Sequence, residues 1–321
     1  MPELRRVRTA PAAVITRQAS MQSYLTVQLL ADRAYRSDAF ALYAYFRWLD
    51  DMVDEVLDGE QERCSFVSRQ RELLAAAAAG SPCLDVSPDE ALLVGLVDPA
   101  RPRPGGRREG DDQRDALLLS MTSMFDVMEF DARRRGRRVT QAQLDGYTTD
   151  LAVAVTEALH HCIGHGQGCP RDETRYVAVS GAHVAHMLRD TVEDLEAGYV
   201  NVSLEVAPGS VAPCDLHDAA LRAWVRDRVD LARSSFASGR RYLARVDNGR
   251  CRLAGHAYIA RFEWVLGRIE SDGYRLRPGY AERGTFRGGV TIAADALRSA
   301  WDARQTRSGP PADAVLRKVA R

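Results

Sequence analysis

Two short acidic runs hold the residues best suited to chemistry. Tyr45-Phe46-Arg47-Trp48-Leu49-Asp50-Asp51-Met52-Val53-Asp54-Glu55 places four carboxylates within six residues. Asp50 and Asp54 are four apart, so on a helix they share one face a turn apart, where like charges repel mildly. A hard divalent cation would relieve that repulsion. Met187-Leu188-Arg189-Asp190-Thr191-Val192-Glu193-Asp194 repeats the pattern, with Asp190 and Asp194 four apart and Arg189 placed as Arg47 is in the first run. Facing each other, the pairs would offer Asp50, Asp54, Asp190 and Asp194 to one metal site. Mg²⁺, with Mn²⁺ as a second hard cation, takes oxygen ligands and is usually held by a few carboxylates together with substrate phosphate. The pattern therefore points to a metal-bridged diphosphate, with Arg47 and Arg189 adding positive charge against its oxygens. Charge placed on a leaving diphosphate favours heterolysis of a carbon–oxygen bond. Tyr24, Tyr43, Tyr45, Phe46 and Trp48 are expected to line an apolar cavity and to turn ring faces toward a cation. One Asp pair at helical spacing is as well read as a solvated face; two, each behind an Arg and among apolar residues, weigh against that reading.

The elements that must position these residues are helices. Apolar positions follow a helical period over 20–58, with Ser37 and Asp38 as candidate caps and Gly59 as the stop. Further helices are predicted over 60–79, near 88–96, over 115–131 (Leu117, Met121, Phe125 and Met128 on one side), from Thr140 to about 163, over 175–195, 216–246, 252–272 and 291–304. No strand pattern is convincing, so the fold class is all-α. One catalytic unit is expected over 19–305, after a loose lead at 1–18 and before a tail at 306–321. The Pro-, Gly- and Arg-rich stretch 98–112 reads as a loop insertion within it.

Composition narrows the function. The chain has 321 residues, 45% of them apolar, and 44 basic against 44 acidic side chains. Without a basic excess it is not a nucleic-acid binder. Six cysteines without a CxxC pair read as reduced thiols in a cytoplasmic protein. No apolar run approaches the ~20 residues of a membrane span, so a lipid-like substrate or product would be met from solution or by peripheral association. The oligomeric state is not legible. His160, His161, Cys162, His165 and Cys169 match no standard zinc spacing and read as a helix end. Gly284, Gly288 and Gly289 read as a turn, lacking the context of a phosphate loop.

Segments 43–55 and 186–200 resemble the two aspartate-rich motifs of the squalene and phytoene synthases. Asp126-Val127-Met128-Glu129-Phe130-Asp131 resembles that family's D-G-M-x-x-D helix, Gln143-Leu144-Asp145-Gly146-Tyr147 its L-x-x-Y helix start, and Ile269 with Gly273-Tyr274 its late I-x-x-x-G-Y. The motifs run in order over about 20–276. The resemblance implies an isoprenoid synthase helical bundle around one central cavity, in which Mg²⁺ held by the two motifs ionises an allylic prenyl diphosphate such as farnesyl or geranylgeranyl diphosphate. A second prenyl diphosphate then couples head to head. Squalene formation also uses NADPH and phytoene formation does not, and the motifs leave that choice open.

The chain also departs from the family. Only Ser23 keeps a diphosphate-binding serine of the opening motif; His186 replaces an Asn before the second motif, with His183 one turn earlier; Phe262 stands where a late Tyr is usual, with Glu263 beside it; and Tyr199-Val200-Asn201-Val202-Ser203 replaces R-V-Y-L-P. His183 and His186 are read either as contacts or acid–base groups in the cavity or as helix residues bonded to the backbone. These changes touch the cavity wall and the second diphosphate, so two reactions stay open: head-to-head coupling, a prenyl transfer, and cyclisation of one prenyl diphosphate by a terpene synthase, a lyase. A catalytically silent partner is disfavoured because all four aspartates are present.

Overall fold

The computed structural model describes residues 12–101, 107–164, 168–206 and 219–280, with side chains described from 114 onward in the second stretch. Ten α-helices make up the described chain: α1 (Ala12–Ala19), α2 (Met21–Leu30), α3 (Arg36–Asp51), α4 (Glu60–Ala78), α5 (Glu90–Val97), α6 (Arg107–Arg134), α7 (Gln141–Cys162), α8 (Val177–Glu196), α9 (Ala219–Arg245) and α10 (Gly249–Ser271). No strand occurs among the described residues, so the all-α reading holds. The segment 291–304, the tail, Cys214, His165 and Gly284, Gly288 and Gly289 lie outside the described residues, as do the first half of the lead and the centre of the 98–112 loop.

Local chemistry sets most helix ends. Thr140 and Gln143 form a reciprocal capping box at the start of α7. Asn248 caps α10 by accepting from the N–H groups of Arg250 and Cys251, both at 3.0 Å. The helical stretch over 20–58 is divided after Leu30, where the Asp32 N–H bonds to the Cys162 carbonyl at 3.0 Å and its carboxylate takes the Gly164 N–H at 2.7 Å. Three expectations fail. Ser37 and Asp38 lie inside α3 and do not cap it; Asp38 instead receives Arg101 at 2.5 Å. Gly59 does not end α3 either. The helix passes into a π-helical turn over Met52–Val56, closed by the Leu57 N–H on the Met52 carbonyl at 3.0 Å, and Gly59 is the residue before α4. The loop insertion is also shorter than expected, since α6 begins at Arg107.

Two buried clusters carry the bundle. One joins α3 to α6 through Leu42, Tyr45, Leu49, Val53, Leu93, Leu117, Met121 and Phe125. The other joins α7 to α10 through Ala182, Ala185, Leu188, Val225, Phe236, Ile259 and Val265. Burying each larger apolar side chain contributes roughly 1.5–3 kcal/mol. The first acidic motif is therefore tethered by one cluster and the second by the other. The α8–α9 contact is set by glycine: a Cβ at Gly239 would stand 2.5 Å from the Ala178 Cβ and 3.0 Å from its Cα. Among the described residues no helix is long and apolar enough to cross a membrane.

Candidate active site

On α3 the residues that enter the core are Leu42, Tyr45 and Leu49, with Val53 beyond. The helical period leaves Tyr43, Arg47, Asp50 and Asp54 on a different face. Arg47 folds onto its own motif, donating to Asp50 at 3.2 Å and pairing with Asp51. Desolvation, with the Asp54 charge added, pushes the Asp50 carboxyl up to about 7. Asp54 lies in the π-turn. Its carboxylate accepts from the Tyr199 hydroxyl at 2.5 Å and its carbonyl from Arg135 at 2.9 Å. π-turns often mark functional sites; here the wide turn presents both acceptors of one residue to partners from distant segments.

On α8 the division repeats, with Ala182, Ala185 and Leu188 in the core and His183, His186, Asp190 and Asp194 in the polar stripe. Asp190 is clamped by both Nε and Nη2 of Arg189 and by His186 Nε2 at 2.9 Å. Desolvation would raise its carboxyl, but these partners prevail and hold it well below the usual carboxylate range. Burial lowers His186, so it donates as a neutral ring. Asp194 is pushed up to about 6 by desolvation and by the Asp190 charge. Its main-chain carbonyl closes the helix: the Tyr199 N–H reaches it at 2.7 Å and the Gly198 N–H bonds to Leu195, the Schellman pattern, with Gly198 at φ 92° where a side chain would be strained. That reversal brings Asn201 back to the Asp194 carboxylate at 2.5 Å and Tyr199 onto Asp54.

The end of α6 links the motifs. Arg134 donates to Asp131 at 2.6 Å and to the Asn201 side-chain oxygen at 2.8 Å, and Tyr147 of α7 donates to Asp131 at 2.9 Å. The guanidinium lies 4.9–5.4 Å from the ring centres of Phe130, Tyr147 and Tyr199. Asp131 repels both Asp50 and Asp194. One polar network, Asp54–Tyr199 and Asp194–Asn201–Arg134–Asp131, thus spans the two acidic pairs. Sequence reasoning missed Asp131, Arg134, Tyr147, Tyr199 and Asn201 as site residues. Asp131 and Tyr147 were visible as motif positions, whereas Tyr199 and Asn201 had shown only as departures from a pattern.

The remaining expected residues are distributed unevenly. Phe262 of α10 meets the His186 ring at 6.1 Å and Tyr258 at 5.1 Å, while Glu263 turns away to pair with Arg240 of α9. His183 is buried edge-on to Tyr147 at 4.9 Å, with neither ring nitrogen hydrogen-bonded, and burial pulls its pKa well down. The backbone-bonded reading of the two histidines fails on these contacts. Arg261, which sequence reasoning also missed, interacts with Tyr43, Arg189 and Asp190, and burial lowers its pKa. The Arg189 Nη1 and the Arg261 Nε are buried without hydrogen-bond partners. Tyr24 stacks on Phe40 at 5.6 Å, and the Ser23 N–H caps on Ser20 at 3.2 Å; these contacts do not join either residue to the acidic network. Two aromatic expectations are corrected: Tyr45 is fully buried and donates to Gln70 at 3.0 Å, and Trp48 packs on Phe66 at 5.5 Å. Phe46 packs beside them against Phe125 at 5.8 Å.

The donor set of the network is all oxygen, which suits a hard cation. Among the described residues no three carboxylates bring one oxygen each within 4.8 Å of one another. A cation here would therefore be shared between a carboxylate pair and ligand oxygens, the way Mg²⁺ is commonly held.

Known proteins with this architecture give the network its context. A sequence model described as squalene/phytoene synthase matches residues 16–287. The structure resembles the squalene synthase HpnC from Alicyclobacillus acidocaldarius, with 21% identity, a TM-score of 0.65, and 86% of this chain and 98% of that chain covered. It also resembles a dehydrosqualene synthase solved in complex with ligand, with 14% identity, a TM-score of 0.66, and 96% and 98% covered. At these identities the solved structures speak for the fold, which is the squalene synthase helical fold. No curated protein sequence matches the chain. The family match covers most of the chain: the chain belongs to the squalene/phytoene synthase family, an enzyme family of prenyltransferases.

Proposed function

We propose that the chain ionises an allylic prenyl diphosphate of farnesyl or geranylgeranyl type at the acidic network and couples it head to head with a second prenyl diphosphate, in a Mg²⁺-dependent reaction. Family membership supports prenyl diphosphate coupling in general. The observation that carries the site assignment is the shared network: Asp50 and Asp194, on helices tethered to different cores, have their pKa raised first by burial and then by the carboxylates around them. That is excess negative charge, and a divalent cation fits it. A pair drawn from Asp50, Asp54, Asp190 and Asp194, together with substrate oxygens, would hold it. When bound, Mg²⁺ supplies the charge that lowers the basicity of the leaving diphosphate.

The protein's own groups do the rest. The unpartnered Arg189 Nη1 and Arg261 Nε are buried donors for diphosphate oxygens. Arg47 lies on the α3 side of the acidic group, where its charge opposes that of Asp50 and Asp51. His186, neutral and oriented by Asp190, and the Phe262 ring meet at the wall beyond the charged patch. The absence of a hydroxyl at Phe262 supports a second reading, cyclisation of a single prenyl diphosphate.

Product analysis separates the two. Purified protein is incubated with Mg²⁺ and farnesyl or geranylgeranyl diphosphate, each alone, with and without NADPH. A hydrocarbon or diphosphate product with twice the substrate's carbon count supports coupling, and an unchanged count supports cyclisation. Failure to release diphosphate from either substrate contradicts both.

A further inference from the structure

The histidine- and cysteine-rich end of α7 fits no zinc pattern by its spacing. The fold supplies what that spacing lacked. His160 lies in the last turn of α7, Cys169 in the segment after it and Cys251 in the first turn of α10. The His160 Nδ1 stands 3.3 Å from the Cys169 sulfur and 3.4 Å from the Cys251 sulfur, and all three atoms lie within 4.8 Å of one another. We propose that His160, Cys169 and Cys251 form a binding site for zinc or a similar thiophilic divalent cation, separate from the acidic network and independent of the reaction assigned to it.

Geometry supports the assignment. With Zn–S near 2.3 Å and Zn–N near 2.0–2.1 Å, tetrahedral coordination requires N···S separations of about 3.6 Å. The two observed separations need only a small expansion to reach that value. Two thiolates and an imidazole are a borderline-soft set that selects zinc over magnesium. Three protein ligands leave one position of the tetrahedron for water. Each cysteine binds as thiolate and releases its proton, and the two negative charges balance the cation.

The surroundings are arranged as a second shell. A metal-bound histidine normally donates its other ring N–H to an oxygen. Here the His160 Nε2 lies 3.1 Å from the Tyr242 hydroxyl, which in turn lies 3.3 Å from the Pro170 carbonyl. That chain orients the ring with its Nδ1 toward the sulfurs. Arg175, whose charge acts on both cysteines, is neutralised by a two-pronged pair with Glu157 at 2.6 and 3.0 Å. Gly168 lets the Cys169 segment close in. Its backbone is left-handed, at φ 62°, a Cβ there would stand 2.8 Å from the Asp247 Cβ, and its carbonyl accepts the Asp247 N–H at 3.0 Å. His160 and Cys251 are buried and Cys169 is half-buried, which leaves a route for the ion. A bound ion would pin the end of α7 and the segment behind it to the start of α10, the helix that carries Arg261 and Phe262.

The test uses the full chain, purified with Mg²⁺ present and no chelator, and measures metal content by plasma mass spectrometry. About one zinc per chain is expected, and essentially none in the Cys169→Ser/Cys251→Ser double variant. A Cys64→Ser control retains it. Because Cys251 is in the core, circular dichroism checks that the variants fold, and a second measurement avoids substitution altogether. Co²⁺ added to chelator-treated wild-type protein should produce thiolate-to-cobalt charge-transfer absorption that Zn²⁺ abolishes; carboxylate-bound cobalt at the acidic network gives no such band. A folded wild-type chain that carries no zinc and shows no sulfur charge transfer with Co²⁺ overturns the proposal. So does zinc retained in the folded double variant.

Discussion

Asp50 and Asp190 open two motifs of the same spacing, yet their surroundings pull them in opposite directions. Asp190 is gripped by the Arg189 fork and by His186, and its carboxyl is held low. Asp50 has only a share of Arg47, which also serves Asp51, and its carboxyl rises to about 7. Asp190 is neutralised from within its own helix and Asp50 is not. Identical spacing therefore does not fix electrostatics. The neighbours within one turn on the same helix do, and the carboxylates left short of positive charge, Asp50 and Asp194, are the ones that most require a cation from outside.

The largest effect should come from removing the carboxylates left short of charge. Asp50→Asn and Asp194→Asn should each lower turnover by about 10²–10³-fold or more, measured as diphosphate release under saturating Mg²⁺. If Asp50→Asn were harmless while Asp194→Asn were not, the comparison would break in favour of the second motif. Next comes the link. Arg134→Met leaves Asp131 buried without its cationic partner, bonded only to Tyr147, and should cost about 3–5 kcal/mol of stability, seen in chemical denaturation. Adding Asp131→Asn should restore part of it. Tyr199→Phe removes one bond to a charged acceptor, Asp54, and should cost about 1.5–3 kcal/mol, with weaker Mg²⁺-dependent activity. The smallest effect is on pH dependence. Asp50 in the folded chain binds its proton up to about pH 7, whereas an unfolded aspartate releases it near 3.9. Between those values the native state holds more protons, so without Mg²⁺ stability falls as pH rises from about 4 to 7. Asp190 has the opposite sign, and its contribution is already complete above about pH 4. Thermal midpoints of metal-free protein should therefore drift down toward neutral pH, Mg²⁺ should cancel the drift, and Asp50→Asn should reduce it, leaving the part below about pH 6 that Asp194 contributes.

Much of this was readable in the chain and the rest was not, for local physical reasons. Helical period, the Thr140–Gln143 capping box and the paired aspartates are encoded within a few residues of one another. The break after Leu30 and the π-turn at Met52–Val56 are settled by bonds to Cys162, Arg135 and Tyr199, partners that no local pattern announces. Tyr45 and Trp48 were expected at the cavity because they neighbour Asp50 in sequence; on a helix adjacent residues point apart, and both face the core. Arg261 was missed because nothing in its own segment signals it; only the crossing of α10 beside α8 brings it near Asp190.

The central claim is that the two motifs act as one site. It is tested most directly by calorimetric binding of a non-ionising farnesyl thiodiphosphate with Mg²⁺ to the wild-type chain, Asp50→Asn, Asp194→Asn and the double variant. A single shared site predicts that either substitution alone removes most of the Mg²⁺-dependent affinity and that the double variant loses little more. Losses that simply add, or full Mg²⁺-dependent binding surviving at one motif when the other is removed, would contradict it.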